Sequence, residues 1–150
     1  MLDLHSGILS YSNAGHCPPY LVTAPNCDPI PLEMDANIPV GLMKDWSYTA
    51  QSTAIRPGNV VFLYTDGLTE AENTSHELYG EERLRKCIAG CADITPHALI
   101  ANITDAVHAF VGDAEQSFFS SMIVRFLDKR TKETNLESVL LFFCQRLNIN

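Results

Sequence analysis

"NVVFLYTDGLTEAEN", residues 59–73, drives an apolar run into an acid–glycine pair and sets Glu70 and Glu72 close behind it. A continuously apolar segment such as "VVFLYT" has the composition of a strand covered on both faces. Asp66-Gly67, where the strand opens into a loop, has two readings. Asp-Gly is a common turn dipeptide and needs no further explanation. Alternatively, a hard divalent cation takes carboxylate oxygens, and a strand end holds one rigidly. Glu70 reaches the same space if the loop turns back.

Outward from this stretch, "RPGN" (56–59) is a turn, and "WSYTAQSTAI" (46–55) alternates as a half-exposed strand would. The four prolines between Pro25 and Pro39 predict a loop with one edge strand. "GILSYSN" (7–13) reads as a strand that stops at the turn chemistry of "NAGHCPP", and "YLVT" (20–23) as its hairpin partner. The period then changes. "EERLRKCIAGC" (81–91) places Leu84, Cys87, Ile88 and Cys91 at helical spacing. "TPHALIANITDAVHAFVG" (95–112) predicts a helix with Thr95 as N-cap, Pro96 at its first position and Gly112 closing it. "SSMIVRFL" (120–127) is a further strand, and "TNLESVLLFFCQRLNIN" (134–150) is expected to form an apolar helix after the charged break "DKRTKE". Strands first and helices later point to an α+β fold with mostly antiparallel sheets. The organisation expected is one unit over 1–127, then a charged linker and apolar C-terminal helix over 128–150.

The 150 residues are 46% hydrophobic and 19% charged, enough for a real core. Ten basic and eighteen acidic residues give a net charge of −8, which repels phosphate backbones and argues against a nucleic-acid partner. The five cysteines form no C-x-x-C pair, so neither a zinc ribbon nor a thioredoxin-type site is signalled, and a reduced, cytoplasmic protein is expected. The N-terminus has no signal-peptide pattern, and "VLLFFC" is too short to span a bilayer, so no membrane association is expected.

His16, in the turn "NAGH", could be a metal ligand, a proton donor or an exposed turn residue. The neighbouring Cys17 adds little without further ligands. His5, His76, His97 and His108 do not fall into a metal-ligand spacing pattern. Glu77, Glu81 and Glu82 flank a helix start, where acids complement the helix dipole. A nucleophilic aspartate of the haloacid-dehalogenase type is excluded, because that chemistry needs a second aspartate and the position two before Asp66 is Tyr64.

Taken in order, "YSNAGHCPPYLV", "IPVGL" and "RPGNVVFLYTDGLTEAENTSHELYGEERL" resemble the C-terminal half of SpoIIE-type (RsbU-like) serine phosphatase domains, of the metal-dependent PPM class. The resemblance runs from about Leu2 to Arg125. It implies an α-β-β-α sandwich with two Mn or Mg ions between the sheets at one end, and metal-bound water attacking a phosphoserine or phosphothreonine. It also implies a phosphorylated STAS-type anti-anti-sigma partner. Asp66 matches the family's metal-ligand aspartate. Glu70 falls at an acidic position near the metals, and His16 in a turn where many relatives carry an aspartate. Gly41 and Gly67 match structural glycines.

Two departures follow from the same comparison. The family domain starts with a strand carrying a metal-bridging Asp-Gly, which has no counterpart before "LDLHSGILSYSNAGH", so the N-terminal part of the domain is expected to be missing. Near the other end, the family's Asp-Asp-x-Thr ligand stretch aligns with "EQSFFSSMIVRF", placing Phe118 and Phe119 at the lost ligand positions. A phenyl ring offers a hard cation no oxygen. The chain alone is therefore expected to hold metal weakly and to be inactive. A half sandwich would also expose apolar surface that invites self-association or a partner half. The competing readings are a non-catalytic module that binds a STAS-type partner, and a remnant of a disrupted gene.

Overall fold

The computed structural model describes residues 1–24, 26–35, 37–89 and 95–114 in full, and the backbone of 119–125 and 139–145. The strands are β1 (Leu2–Asp3), β2 (Ile8–Tyr11), β3 (Tyr20–Val22), β4 (Ile30–Pro31), β5 (Gln51–Ala54), β6 (Val60–Tyr64), β7 (Phe119–Arg125) and β8 (Val139–Gln145). The helices are α1 (Asp66–Thr69), α2 (Gly80–Ala89) and α3 (Pro96–Val111). All strand pairs are antiparallel, in a three-stranded sheet ordered β1-β2-β5 and a five-stranded sheet ordered β4-β3-β6-β7-β8.

β6 shows how the layers are built. Side chains alternate across a strand, so Val60, Phe62 and Tyr64 point to one face and Val61 and Leu63 to the other. The first set joins Tyr20 and Val22 of β3 in a core closed by Leu84 and Ile88 of α2 and by Leu99, Ile103 and Val107 of α3. The second set joins Leu21, Leu32 and Ile55, with Leu9 and Tyr11 of the three-stranded sheet packed against them. The strand is thus covered on both faces because helices lie on one side and a second sheet on the other. The helix-sheet-sheet stack confirms the α+β architecture and three of the four layers of the expected sandwich. Among the described residues, no helix covers the outer face of the three-stranded sheet, where Ile8 is 37% exposed.

The helix boundaries follow local chemistry. Thr95 caps α3, its side chain accepting from the Ala98 N–H at 3.3 Å; Pro96 opens the helix and Gly112 ends it at φ +60°. Arg83 of α2 donates to the carbonyls of Leu78 (3.0 Å) and Tyr79 (2.9 Å) and lies 4.6 Å above the Phe110 ring, tying α2 to α3.

Three expectations are corrected. "YLVT" does not pair back on the strand before it: β3 lies between β4 and β6, while β2 pairs with β1 and β5 in the other sheet. The chain crosses between sheets at the "NAGHCPP" turn, where Tyr20 and Val22 find a helix-covered core that a hairpin on the small sheet would not give them. The alternation from Trp46 makes a strand only at Gln51–Ala54, because only those residues have a pairing partner, in β2. The apolar C-terminal segment is a strand rather than a helix: Val139–Gln145 pairs with β7 at seven positions. The single edge strand expected between Pro25 and Pro39 is present as β4. Cys91 and the linker 128–138 lie outside the described residues.

Gly7 marks the closest backbone approach. It has φ +71°, and a Cβ there would lie 2.7 Å from the Ile55 carbonyl oxygen, while Ile55 N–H donates to the Gly7 carbonyl at 2.8 Å. A left-handed residue jammed against backbone cannot relax by turning a side chain. Gly7→Ala is expected to destabilise the chain by about 1–3 kcal/mol, read as a lower urea midpoint with unchanged slope.

Candidate functional site

β6 delivers Asp66 directly. Thr65 has extended backbone and serves as N-cap of α1, and the single turn Asp66–Thr69 is anchored by the fully buried Leu68. The Asp66 carbonyl accepts from the Glu70 N–H at 2.8 Å and the Thr69 hydroxyl at 3.0 Å, while the Asp66 carboxylate accepts from the Gly67 N–H at 2.9 Å. The carboxylates of Asp66 and Glu70 stay exposed at the end of a strand buried at four of its five residues. Gly67 is helical and needs no left-handed freedom; Gly41, at φ +86°, does.

The second part of the site is the turn between the sheets. Asn13 holds it through two side-chain contacts with one residue: its carbonyl oxygen accepts the His16 N–H and its amide donates to the His16 carbonyl, both at 2.6 Å. The His16 side chain is exposed. The half-buried Cys17 follows, with its thiol pushed up by burial and then by the negative charges of Asp66, Glu81 and Glu70. Those charges can act on Cys17 only because the turn and the end of β6 lie at the same end of the molecule. Below them Tyr20 and Tyr64 stack with centroids 5.7 Å apart, and burial pushes both phenols up.

The structure therefore brings the turn carrying His16 to the end that carries Asp66 and Glu70. It adds Cys17, Asn13 and Glu81, which the sequence reading set aside or gave other roles. Asn13 was legible as the first residue of a side-chain-closed turn. Cys17 and Glu81 had no local signal, because the charges of Asp66 and Glu81 reach the Cys17 thiol only across the fold. Phe118 lies outside the described residues, and Phe119 is the first residue of β7.

The acids at this end attract a cation, but the donor set is not a closed metal site. Among the described residues, no three His, Cys, Asp or Glu side chains are grouped to hold an ion. Mg asks for six oxygens in near-octahedral array, commonly one or two carboxylates with water and phosphate. Asp66 supplies one carboxylate of that kind. These residues alone do not fit a two-metal centre. Among the described residues, no helix is long and apolar enough to cross a membrane.

Comparison with known proteins places the fold. The profile of Stage II sporulation protein E (SpoIIE) matches residues 1–117. Protein IcfG of Synechocystis is 31% identical over 115 residues, which cover 71% of this chain and 18% of that protein. Among solved structures, the SiaA-PP2C domain of Pseudomonas aeruginosa superposes with a TM-score of 0.67 at 18% identity, covering 80% of this chain and 46% of that one. The SpoIIE PP2C phosphatase domain of Bacillus subtilis, solved with a fragment of its regulatory domain, gives 0.66 at 16% identity, covering 84% and 36%. The RsbU and RsbW domains of a Mycobacterium tuberculosis protein give 0.60 at 24% identity, covering 81% and 33%. The chain thus spans less than half the length of each of these relatives. With the profile matched over residues 1–117 and the PP2C domain structures superposing on 80% and 84% of its length, the chain belongs to the Stage II sporulation protein E family.

Proposed function

We propose that this chain is the Asp66-bearing half of a metal-dependent serine/threonine phosphatase domain of the sigma-factor-regulating type. Its substrate would be a phosphoserine on a STAS-type anti-anti-sigma protein, and the chain alone does not turn over. The observation that carries the reading is the placement of Asp66. A carboxylate stands exposed on a one-turn helix pinned by Leu68, at the end of a central strand, in a chain matched to the SpoIIE family.

Bound Mn or Mg would supply an activated water for attack on phosphorus. The chain's own part is to hold Asp66 at a fixed point and to place the His16 turn beside it. Glu70, Glu81 and Asp66 together make that end strongly negative, so a phosphate enters only with cations to offset the charge. One carboxylate is too few for that task, which is why the isolated chain is expected to be silent. The Phe118-Phe119 pair favours a second reading, a pseudophosphatase that keeps the scaffold and binds its partner without catalysis.

The test is phosphate release from a serine-phosphorylated STAS protein in millimolar Mn. The folded chain alone and its Asp66→Asn variant are both expected to release none. A chimaera places the N-terminal half of the Pseudomonas SiaA domain ahead of this chain and carries Phe118→Asp and Phe119→Asp. It is expected to release phosphate, and Asp66→Asn in that background to lower the rate by about a hundredfold or more. A folded chimaera that stays silent overturns the phosphatase reading in favour of the binding module.

A further inference from the structure

Most exposed apolar residues stand singly on the surface, but one loop collects four of them within seven positions. Val40 is 78% exposed, Leu42 69%, Met43 55% and Trp46 37%. Scattered apolar side chains need no explanation, whereas a local cluster marks an interaction surface. This loop is held in place. Trp46 Nε1 donates to the Asn37 side-chain oxygen at 3.4 Å, and the Tyr48 hydroxyl donates to the Pro39 carbonyl at 3.3 Å.

The loop also abuts the candidate site. Pro39, at its start, packs so closely on Gly15 that a Cβ there would lie 2.8 Å from the proline Cγ. His16 follows Gly15, and this turn leads into Tyr20, whose ring stacks on Tyr64, two residues before Asp66, at 5.7 Å. A folded protein presenting a phosphoserine to the Asp66 end must lay its neighbouring surface over adjoining structure, and this apolar loop adjoins the turn.

Charge decides what kind of contact holds such a partner. The chain has a net charge of −8, and Asp66 and Glu70 stand exposed at the end of β6. A phosphorylated protein brings further negative charge and gains no attraction from that end. Affinity must come from uncharged contact, and the loop offers apolar side chains with aromatic and methionine character, types enriched at interfaces.

We infer that the Val40–Trp46 loop is the docking surface for the phosphoprotein substrate, taking an apolar patch that flanks its phosphoserine. The inference rests on the phosphatase-family reading of the Asp66 site and deepens it, by separating the residues that recognise the protein from those that face the phosphate.

The test is calorimetric titration of the full chain with a purified serine-phosphorylated STAS-domain protein. It is repeated with the Leu42→Ser/Met43→Ser double variant and with Asp66→Asn. Both loop positions are exposed, so the double variant is expected to keep the parent's circular dichroism and unfolding midpoint. The expected result is binding by the wild type, weakened at least about tenfold in the loop variant and changed less than about threefold in Asp66→Asn. Equal binding by wild type and loop variant overturns the docking inference and leaves the phosphatase reading standing. No binding by the folded wild type overturns docking of this partner, while the chimaera's phosphate release still decides the catalytic reading. Concentration-dependent self-association that the loop variant abolishes, with no phosphoprotein binding, assigns the patch to a second copy of the chain instead.

Discussion

Phe62→Ala is expected to lower the unfolding free energy by about 3–5 kcal/mol. Phe62 is fully buried, stands opposite Tyr20 in the strand register, and lies 6.0 Å from Tyr64 ring to ring. Removing its ring forfeits the transfer energy of a buried aromatic and leaves a cavity that the flanking strands, fixed by the ladder, cannot collapse to fill. Domains of this size are stable by only about 5–15 kcal/mol, so the variant should sit near the edge of folding. Chemical unfolding would show the midpoint displaced to low urea with the slope unchanged. The same truncation at Leu63, half-buried on the opposite face, should cost visibly less. Equal losses at the two positions would contradict the account of a helix-side core packed more fully than the inter-sheet one.

The second large effect is at alkaline pH. Tyr79 is buried under α2 and α3, edge-on to Phe110, and burial, then the neighbouring Cys87, pushes its phenol up to about 12. Burial likewise raises Tyr20 and Tyr64. In the unfolded chain these phenols ionise near pH 10, so above that pH the folded state holds more protons than the unfolded one. Unfolding free energy therefore falls as pH rises. The stabilisation is complete below about pH 10 and is lost progressively from there through about 12. Thermal midpoints should be flat on this account between pH 8 and 10 and then drop steeply, with phenolate absorbance rising at the unfolding transition. Tyr79→Phe should soften the drop. A midpoint that holds level from pH 10 to 12 would mean that the three hydroxyls are not sequestered as described.

The parts of this fold that could be read from sequence are those decided by neighbours in the chain. Thr95, Pro96 and Gly112 are cap residues whose hydrogen bonds and backbone angles are local, and they delimit α3 where the spacing placed it. The unbroken apolar run of β6 announced a strand buried on both faces. What could not be read depends on distant partners. "YLV" joins β6, nearly forty residues on, rather than β2, and nothing local distinguishes those pairings. "VLLFFC" carries no period, and a short apolar run fits a buried helix as well as a strand; the free edge of β7 settles the matter. The one-turn helix α1 escaped notice because Asp-Gly speaks first for a turn.

For the candidate site, the position of Asp66 at a strand end was legible from the apolar run before it, and the turn of His16 from the residues that form it. Their meeting was not, since Cys17 and Asp66 are brought together only by the crossing between sheets. Glu81 looked like an ordinary helix-start acid, and its charge reaches Cys17 only because α2 folds over β6.

The way β6 is held has a consequence for how long each half of the site stays assembled. Its backbone is paired to a strand on either side and shielded above and below, so it can open only when the whole domain does. Asp66 stands two residues beyond Tyr64, the last residue of that segment. The turn that carries His16 is closed by the side chain of Asn13 and by the packing of Gly15 on Pro39, at the surface and outside both sheets, where opening costs less than unfolding the domain. The site thus joins a long-lived half to a short-lived one, and any event that needs both runs on the clock of the turn.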